Sequence, residues 1–187
     1  KTKVIDWMQS PANERELITR AQQQDRHAIG SLYEHYAQAI FHYISYRVET
    51  KTLAEDLTAE VFLRMIRRLP TYTYTGAPFG AWLYRIASNL IADHYRSKKE
   101  VLAEIPEDYQ SDAVDPFDEL SMREDQLRLK QAILSLSEEY QNVIILRFIK
   151  ELSHTEVADI MDRSEGAVRV LQHRALKALE TAMIKPQ

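Results

Sequence analysis

Apolar residues recur at three- and four-residue spacing along most of the chain, interrupted by short polar or proline-bearing breaks. Ser10-Pro11, a cap followed by a proline suited to a first helical position, predicts a short polar helix through Ala21. Asp25 then caps a longer helix to about Arg47, with Ile29, Leu32, Tyr33, Tyr36, Ile40, Phe41 and Ile44 as its apolar stripe. Thr52 and Glu55 have capping-box spacing and open a helix with Leu53, Leu57, Val61, Met65 and Leu69 on one face. Pro70 ends it. Thr71 to Phe79, TYTYTGAPF, reads as a loop rich in rings and hydroxyls. A long helix follows from Ala81 to Lys99 and buries Trp82, Leu83, Ile86, Leu90 and Ile91. Arg85, Asn89, Ala92 and Arg96 share another of its faces.

Residues 101–118 carry two prolines and many acids with no sustained period, which is linker composition. Helical spacing resumes from Glu119 to Leu136, and Ser137 is placed to cap a helix from Glu138 to Lys150. Its expected core residues are Tyr140, Val143, Ile144, Leu146 and Phe148. Ser153 and Glu156 form a second capping box, before a short helix with Val157, Ala158, Ile160 and Met161 on its apolar side. The period breaks at Asp162-Arg163-Ser164, and Ser164 caps a last helix with Val168, Leu171, Ala175 and Leu179 inward. Arg169, His173, Arg174 and Lys177 point elsewhere. A short helix, a turn and a longer helix with a basic outer face is the layout of a helix-turn-helix. On this stretch alone, a helical hairpin with a solvated charged face is the competing reading.

Composition narrows the frame. With 187 residues, only four glycines and no strand pattern, the expectation is an all-α protein of one domain or two small ones. The absence of cysteine excludes disulfides, thiolate catalysis and cysteine-ligated zinc. No apolar run approaches a membrane span and no secretory signal opens the sequence, so the expected location is cytoplasmic. The net charge of −4 sits badly with DNA binding until its distribution is seen. Residues 1–100 hold 14 basic and 11 acidic side chains, or +3. Residues 101–125 hold 1 and 9, or −8, and residues 126–187 hold 9 and 8, or +1. Two helical domains, 1–100 and 119–187, joined by a flexible acidic linker at 101–118, account for this.

Candidate chemistry is of the binding kind. Glu55, Asp56 and Glu60 stand early in their helix and Arg64, Arg67 and Arg68 late, as its dipole favours; such a face can also dock a partner protein. His94, Tyr95, Arg96, Lys98 and Lys99 close the long helix with rings beside cations, a combination suited to single-stranded nucleic acid. His35 and His42 lie seven apart with no carboxylate to complete a ligand set. A di-iron bundle needs two Glu-x-x-His pairs, and only Glu151 and His154 form one. No metal or cofactor site is therefore expected.

Four blocks carry a specific resemblance: AEDLTAEVFLRMIRRL (54–69), FGAWLYRIASNLIADHYRSKK (79–99), LSEEYQNVIILRFIKELSHTEVADIM (136–161) and SEGAVRV…HRALKAL (164–179). In this order, with an acidic linker between the second and third, they resemble bacterial RNA polymerase sigma factors of the extracytoplasmic-function class. The resemblance implies a non-enzymatic factor that binds RNA polymerase core, directs it to promoters and assists opening. Glu55, Asp56, Glu60, Arg64 and Arg67 match the surface for the clamp coiled coil of the largest polymerase subunit; the flap of the second largest is a further implied contact. Thr75, Gly76, Phe79, Arg85, Asn89, Arg96, Lys98 and Lys99 fall where the family reads the downstream (−10) element and captures an extruded base, with Asn89 as the base reader. Ser164, Arg169, Val170, His173, Arg174 and Lys177 fall where it contacts the upstream (−35) duplex. An anti-sigma factor is a candidate further partner.

Two departures from the family pattern stand out. Asp162 replaces a common glycine in the turn, and Asp tolerates the left-handed conformation better than most residues. Leu171-Gln172 replaces an arginine and an aliphatic residue, which leaves open which of the two faces DNA. Elements roughly 16–18 base pairs apart are about 55–60 Å apart. A linker of about 20–25 residues reaches roughly 65–85 Å when extended, so it can span them. A stand-alone helix-turn-helix repressor or activator is the alternative function.

Overall fold

The computed structural model describes residues 13–74, 76–104 and 124–184, of which 99–104 by backbone alone. Every regular element among them is helical. The first unit contains α1 (Glu14–Gln22), α2 (Arg26–Ser45), α3 (Lys51–Arg68) and α4 (Phe79–Glu104). The expected start at Ser10-Pro11 lies outside the described residues. Asp25 caps α2 as expected, its Oδ1 accepting from the N–H groups of His27 at 2.9 Å and Ala28 at 3.3 Å. At α3 the cap is Thr50, not Thr52: its hydroxyl accepts from Leu53 N–H at 3.2 Å. With Leu53 at the third helical position there is no carboxylate to return the bond, so the Thr52–Glu55 box does not form.

Pro70 does end α3, through one turn of 3-10 helix at Leu69–Thr71. The long helix α4 overruns its expected end at Lys99 and reaches Glu104. No glycine or proline interrupts the sequence before Pro106, so the first four residues assigned to the linker continue the helix. The remainder of that linker, 105–118, lies outside the described residues.

Leu32, Tyr36, Ile40 and Ile44 of α2, Leu57, Val61 and Met65 of α3, and Leu83, Ile86, Leu90 and Ile91 of α4 close one core. Each large apolar side chain buried there contributes roughly 1.5–3 kcal/mol. Tyr33 departs from the expected stripe: it is exposed, with its ring edge-on to Phe62 at 4.8 Å. Helix α1 covers one end through Leu17, Ile18 and Ala21.

The second unit holds α5 (Glu124–Leu134), α6 (Glu138–Ile144), α7 (His154–Met161) and α8 (Glu165–Ile184). Ser137 occupies the cap position of α6 but makes no side-chain cap bond; Gln141 donates to the carbonyls of Leu134 (3.2 Å) and Leu136 (2.9 Å) at the close of α5. A π-helical turn at Ile145–Ile149 follows α6 and adds a residue to the turn. Ile145 and Leu146 are thereby buried, whereas Phe148, expected in the core, is exposed. The Ser153–Glu156 box forms in both directions. Asp162 adopts the left-handed conformation (φ 54°, ψ 51°) that the turn requires, and Ser164 accepts from Ala167 N–H at 3.2 Å to start α8.

The two units pack against each other through a polar cluster around Arg47, whose side chain is only 1% exposed. Its Nη1 donates to Tyr43 Oη (2.7 Å), Ser88 Oγ (3.2 Å) and Asn142 Oδ1 (2.7 Å). Its Nη2 lies 3.3 Å from Glu138 Oε1. Asn142, from α6, also receives the Tyr43 hydroxyl and donates to Ser88 Oγ at 3.1 Å. Helices α4 and α7 meet beside this cluster.

Candidate nucleic-acid interface

At the base of α4 the chain forms a cleft of about 490 Å³, lined by Arg68, Thr71, Tyr72, Thr73, Ala77, Pro78, Ala81, Trp82 and Arg85. The local sequence explains it. Pro70 forces the chain out of α3, and Gly76 takes the positive φ of 96° that turns the loop back toward α4. Tyr72 and Trp82 lie with ring centroids 4.7 Å apart. Burial, followed by the nearby Glu14 carboxylate, raises the Tyr72 phenol and keeps it neutral. Aromatic walls beside two guanidinium groups suit a planar, electron-rich ligand next to negative charge, which describes a nucleotide.

The expected downstream set is only partly assembled here. Arg85 lines the cleft. Phe79 stands behind it, fully buried, with ring centroids 5.2 Å from Tyr72 and 5.3 Å from Trp82. Its position is that of a support for the walls, with no path to a ligand. Gly76 shapes the loop, and Thr75 lies outside the described residues. Asn89 is exposed one turn beyond Arg85 and does not line the cleft. Arg96 is exposed near Asp93 (3.6 Å), and Lys98 bonds Glu49 at 3.0 Å; the side chain of Lys99 lies outside the described residues. Tyr95, read beside these cations as a stacking candidate, is half-buried and donates to Arg47 O at 3.0 Å, as a core-edge residue would.

Arg68, Tyr72 and Trp82 escaped the sequence reading. Trp82 fitted the buried face and Arg68 fitted a helix end, so only the density of rings on both sides of Gly76 could have marked them. Arg85 is also engaged by the second unit: its guanidinium donates to the Asp159 carbonyl, with Nε at 2.9 Å, and approaches Asp162 at 3.9 Å.

On α3, Glu55, Asp56 and Arg67 are exposed, whereas Arg64 is pinned between Glu60 (3.0 Å) and Asp93 (3.8 Å). Arg64 and Glu60 therefore join α3 to α4 in addition to any outside contact. Between them the helix exposes Leu63 (48%) and Ile66 (42%), apolar residues that the periodicity did not single out. An exposed apolar pair flanked by charges has the composition of a docking face.

On α8, Arg169, Val170, His173, Arg174 and Lys177 are all exposed, with Val168 and Ala175 turned into the core. Ser164 is spent on the cap. Leu171 packs against the core, and Gln172 Oε1 accepts from Arg147 Nε at 3.0 Å and lies 3.0 Å from His154 Nε2. Both flanking positions thus face their own unit, whereas the cationic set and Val170 lie exposed on α8.

Among the described residues no helix is long and apolar enough to cross a membrane. The sequence matches the family models for Sigma-70 region 2 over residues 32–101 and Sigma-70, region 4 over residues 126–179. It is 42% identical over 168 residues to the ECF RNA polymerase sigma factor BldN of Streptomyces coelicolor, covering 88% of this chain and 63% of that protein's length. It is 31% identical over 177 residues to SigD of Mycobacterium tuberculosis, covering 90% of this chain and 82% of that protein. Solved structures of CnrH with the cytosolic domain of CnrY (23% identity, TM-score 0.67, 89% of this chain and 94% of that one) have a similar fold. So does RpoE of Bartonella quintana with the anti-sigma factor NepR (19% identity, TM-score 0.66, 84% and 98%).

Proposed function

Because the chain belongs to the family of ECF RNA polymerase sigma factors, we propose that it binds polymerase core, directs it to promoters and helps to open them. One observation carries this reading: a single chain presents two surfaces of different kinds, each with side chains suited to nucleic acid. The cationic face of α8, with Val170 for a thymine methyl, suits the major groove of an upstream duplex. The aromatic cleft beneath α4 suits a base that has left the stack, with Arg68 and Arg85 beside it and Asn89 on the adjoining turn. The exposed strip of α3, Asp56, Leu63, Ile66 and Arg67, supports docking on the clamp coiled coil of the largest polymerase subunit. The flap of the second largest subunit is assigned to the second unit. The factor acts in the cytoplasm with no reaction of its own, and an anti-sigma factor is a further partner, as the RpoE–NepR complex illustrates for that protein.

In the packed arrangement Arg85 is held by α7, while promoter elements stand about 55–60 Å apart. Reading both at once requires the units to separate. The free chain is therefore expected to bind promoter duplex weakly and to become specific on core polymerase. Titration of labelled promoter with and without core checks this; nanomolar binding of a palindromic duplex by the free chain would favour a stand-alone repressor.

On the holoenzyme, Arg169→Ala and Arg174→Ala should each weaken use of the upstream element by about 1–3 kcal/mol where a bidentate base contact is lost. A phosphate contact would instead weaken all sequences alike and lower the salt slope by about one ion. Transcription from upstream-element variants at two salt concentrations distinguishes the cases. No change on any promoter would remove α8 as the reading helix.

A further inference from the structure

Helix α1 precedes the residues that match the region 2 model and contributes nothing to the cleft lining, yet three of its side chains hold the cleft from behind. Gln22 Nε2 donates to the carbonyls of Leu69 at 3.2 Å and Tyr72 at 2.8 Å. Those carbonyls bracket the turn through which the chain leaves α3, and Tyr72 is the first residue to take up extended backbone (φ −66°, ψ 128°). One amide therefore uses both of its hydrogens to fix where the Tyr72 ring begins. Further along the loop, the Arg15 guanidinium lies 4.4 Å from the Tyr74 ring centroid, and Tyr74 Oη donates to Gly76 O at 3.3 Å. At the back, buried Glu14 accepts from Tyr36 Oη, and the Tyr36 ring stands 5.8 Å from Phe79, which supports both aromatic walls.

We infer that Gln22 is a positioning residue for base capture: it sets the spacing of the Tyr72 and Trp82 walls, with Arg15 steadying the loop. The inference rests on the cleft being the base pocket. Stacking is worth most when a ring is already placed, so a loosened Tyr72 loses selectivity for a base while the backbone contacts of the strand persist. Donation by the side chain is what the site requires. Gln22→Ala removes it, Gln22→Glu puts carboxylate oxygen against two carbonyls, and Gln22→Lys restores donors of similar reach.

The test uses holoenzyme assembled from the full chain and core polymerase, with single-stranded oligonucleotides of the non-template strand from a promoter that it transcribes. Each base of the downstream element is replaced in turn by an abasic site, and the position of largest loss is taken as the captured one. The wild type should prefer the base-bearing strand by about tenfold, the size expected for one stacked base. Gln22→Ala and Gln22→Glu should bring that ratio near one while leaving affinity for the abasic strand unchanged. Gln22→Lys should keep it, and Arg15→Ala should lower it part of the way. Equal discrimination by wild type, Gln22→Ala and Gln22→Glu would overturn the inference and leave the pocket standing. An equal fall for base-bearing and abasic strands would also overturn it, as a general loosening of the fold. No discrimination by the wild type at any position would remove the pocket itself, and the role of Gln22 with it.

Discussion

Asn142→Ala will drive the two helical units apart. Arg47 is almost fully buried between them, and Asn142 Oδ1, at 2.7 Å, is its main partner from the second unit. Removing that carbonyl leaves a buried guanidinium with Tyr43 and Ser88 of its own unit and an outlying Glu138, whose side chain is half exposed. A buried charge that loses a charge-assisted bond destabilises its surroundings by about 2–4 kcal/mol, and water is the replacement partner within reach. Separation of the units supplies that water. Energy transfer between dyes on α1 and α8 should report a longer distance in the variant than in the wild type. Adding Arg47→Met should bring the units back, because the charge that demanded hydration is gone. An unchanged distance in Asn142→Ala would show that the cluster does not hold the units together.

Tyr72→Leu should cripple promoter opening while leaving core binding intact. Leucine keeps apolar bulk against Phe79 and Trp82 but removes the ring that forms one wall of the cleft. Loss of a base–aromatic stack amounts to about 1–3 kcal/mol, so opening followed by a fluorescent base analogue should fall roughly ten- to hundredfold. A template with the downstream element already melted should restore only part of the rate. Pre-melting removes the unstacking penalty but does not replace the missing wall. Asn89→Ala provides a comparison. Its side chain is exposed beyond the cleft, so its effect should be base-dependent and smaller. Wild-type opening by Tyr72→Leu on both templates would remove the cleft as the capture site.

Helix existence was legible in the sequence because the apolar period is sustained in every long segment. The caps were legible where one residue competes alone, as at Asp25 and Ser153. At α3 two threonines two apart competed, and the spacing of Glu55 favoured the wrong one. After Asn142 the inward face was legible at Val143, Ile144 and Leu146, which are buried as expected, but not at Phe148, which a π-helical turn that no residue type announces leaves outside. The cationic face of α8 was legible because it needs only a single helix's period. The cleft was not, since it depends on how α1, the loop and α4 converge. Arg68, Tyr72 and Trp82 come from three different elements, and Gln22 reaches the Tyr72 carbonyl across fifty residues of chain. The contact between the units was likewise invisible. Arg47 reads as a helix-end cation, and nothing in its local sequence shows that Asn142 of α6 meets it in a buried cluster.

On core polymerase, this chain is expected to confer promoter specificity through two separated contacts. Run-off transcription with purified core on a library of randomised promoters tests it most directly. Initiation is expected only when the chain is added, from templates sharing two short motifs roughly 16–18 base pairs apart, about 55–60 Å along the duplex. Arg174→Ala should relax only the upstream motif and Tyr72→Leu only the downstream one. Core-dependent transcripts that are the same with and without the chain, or that select a single palindromic motif, would contradict it.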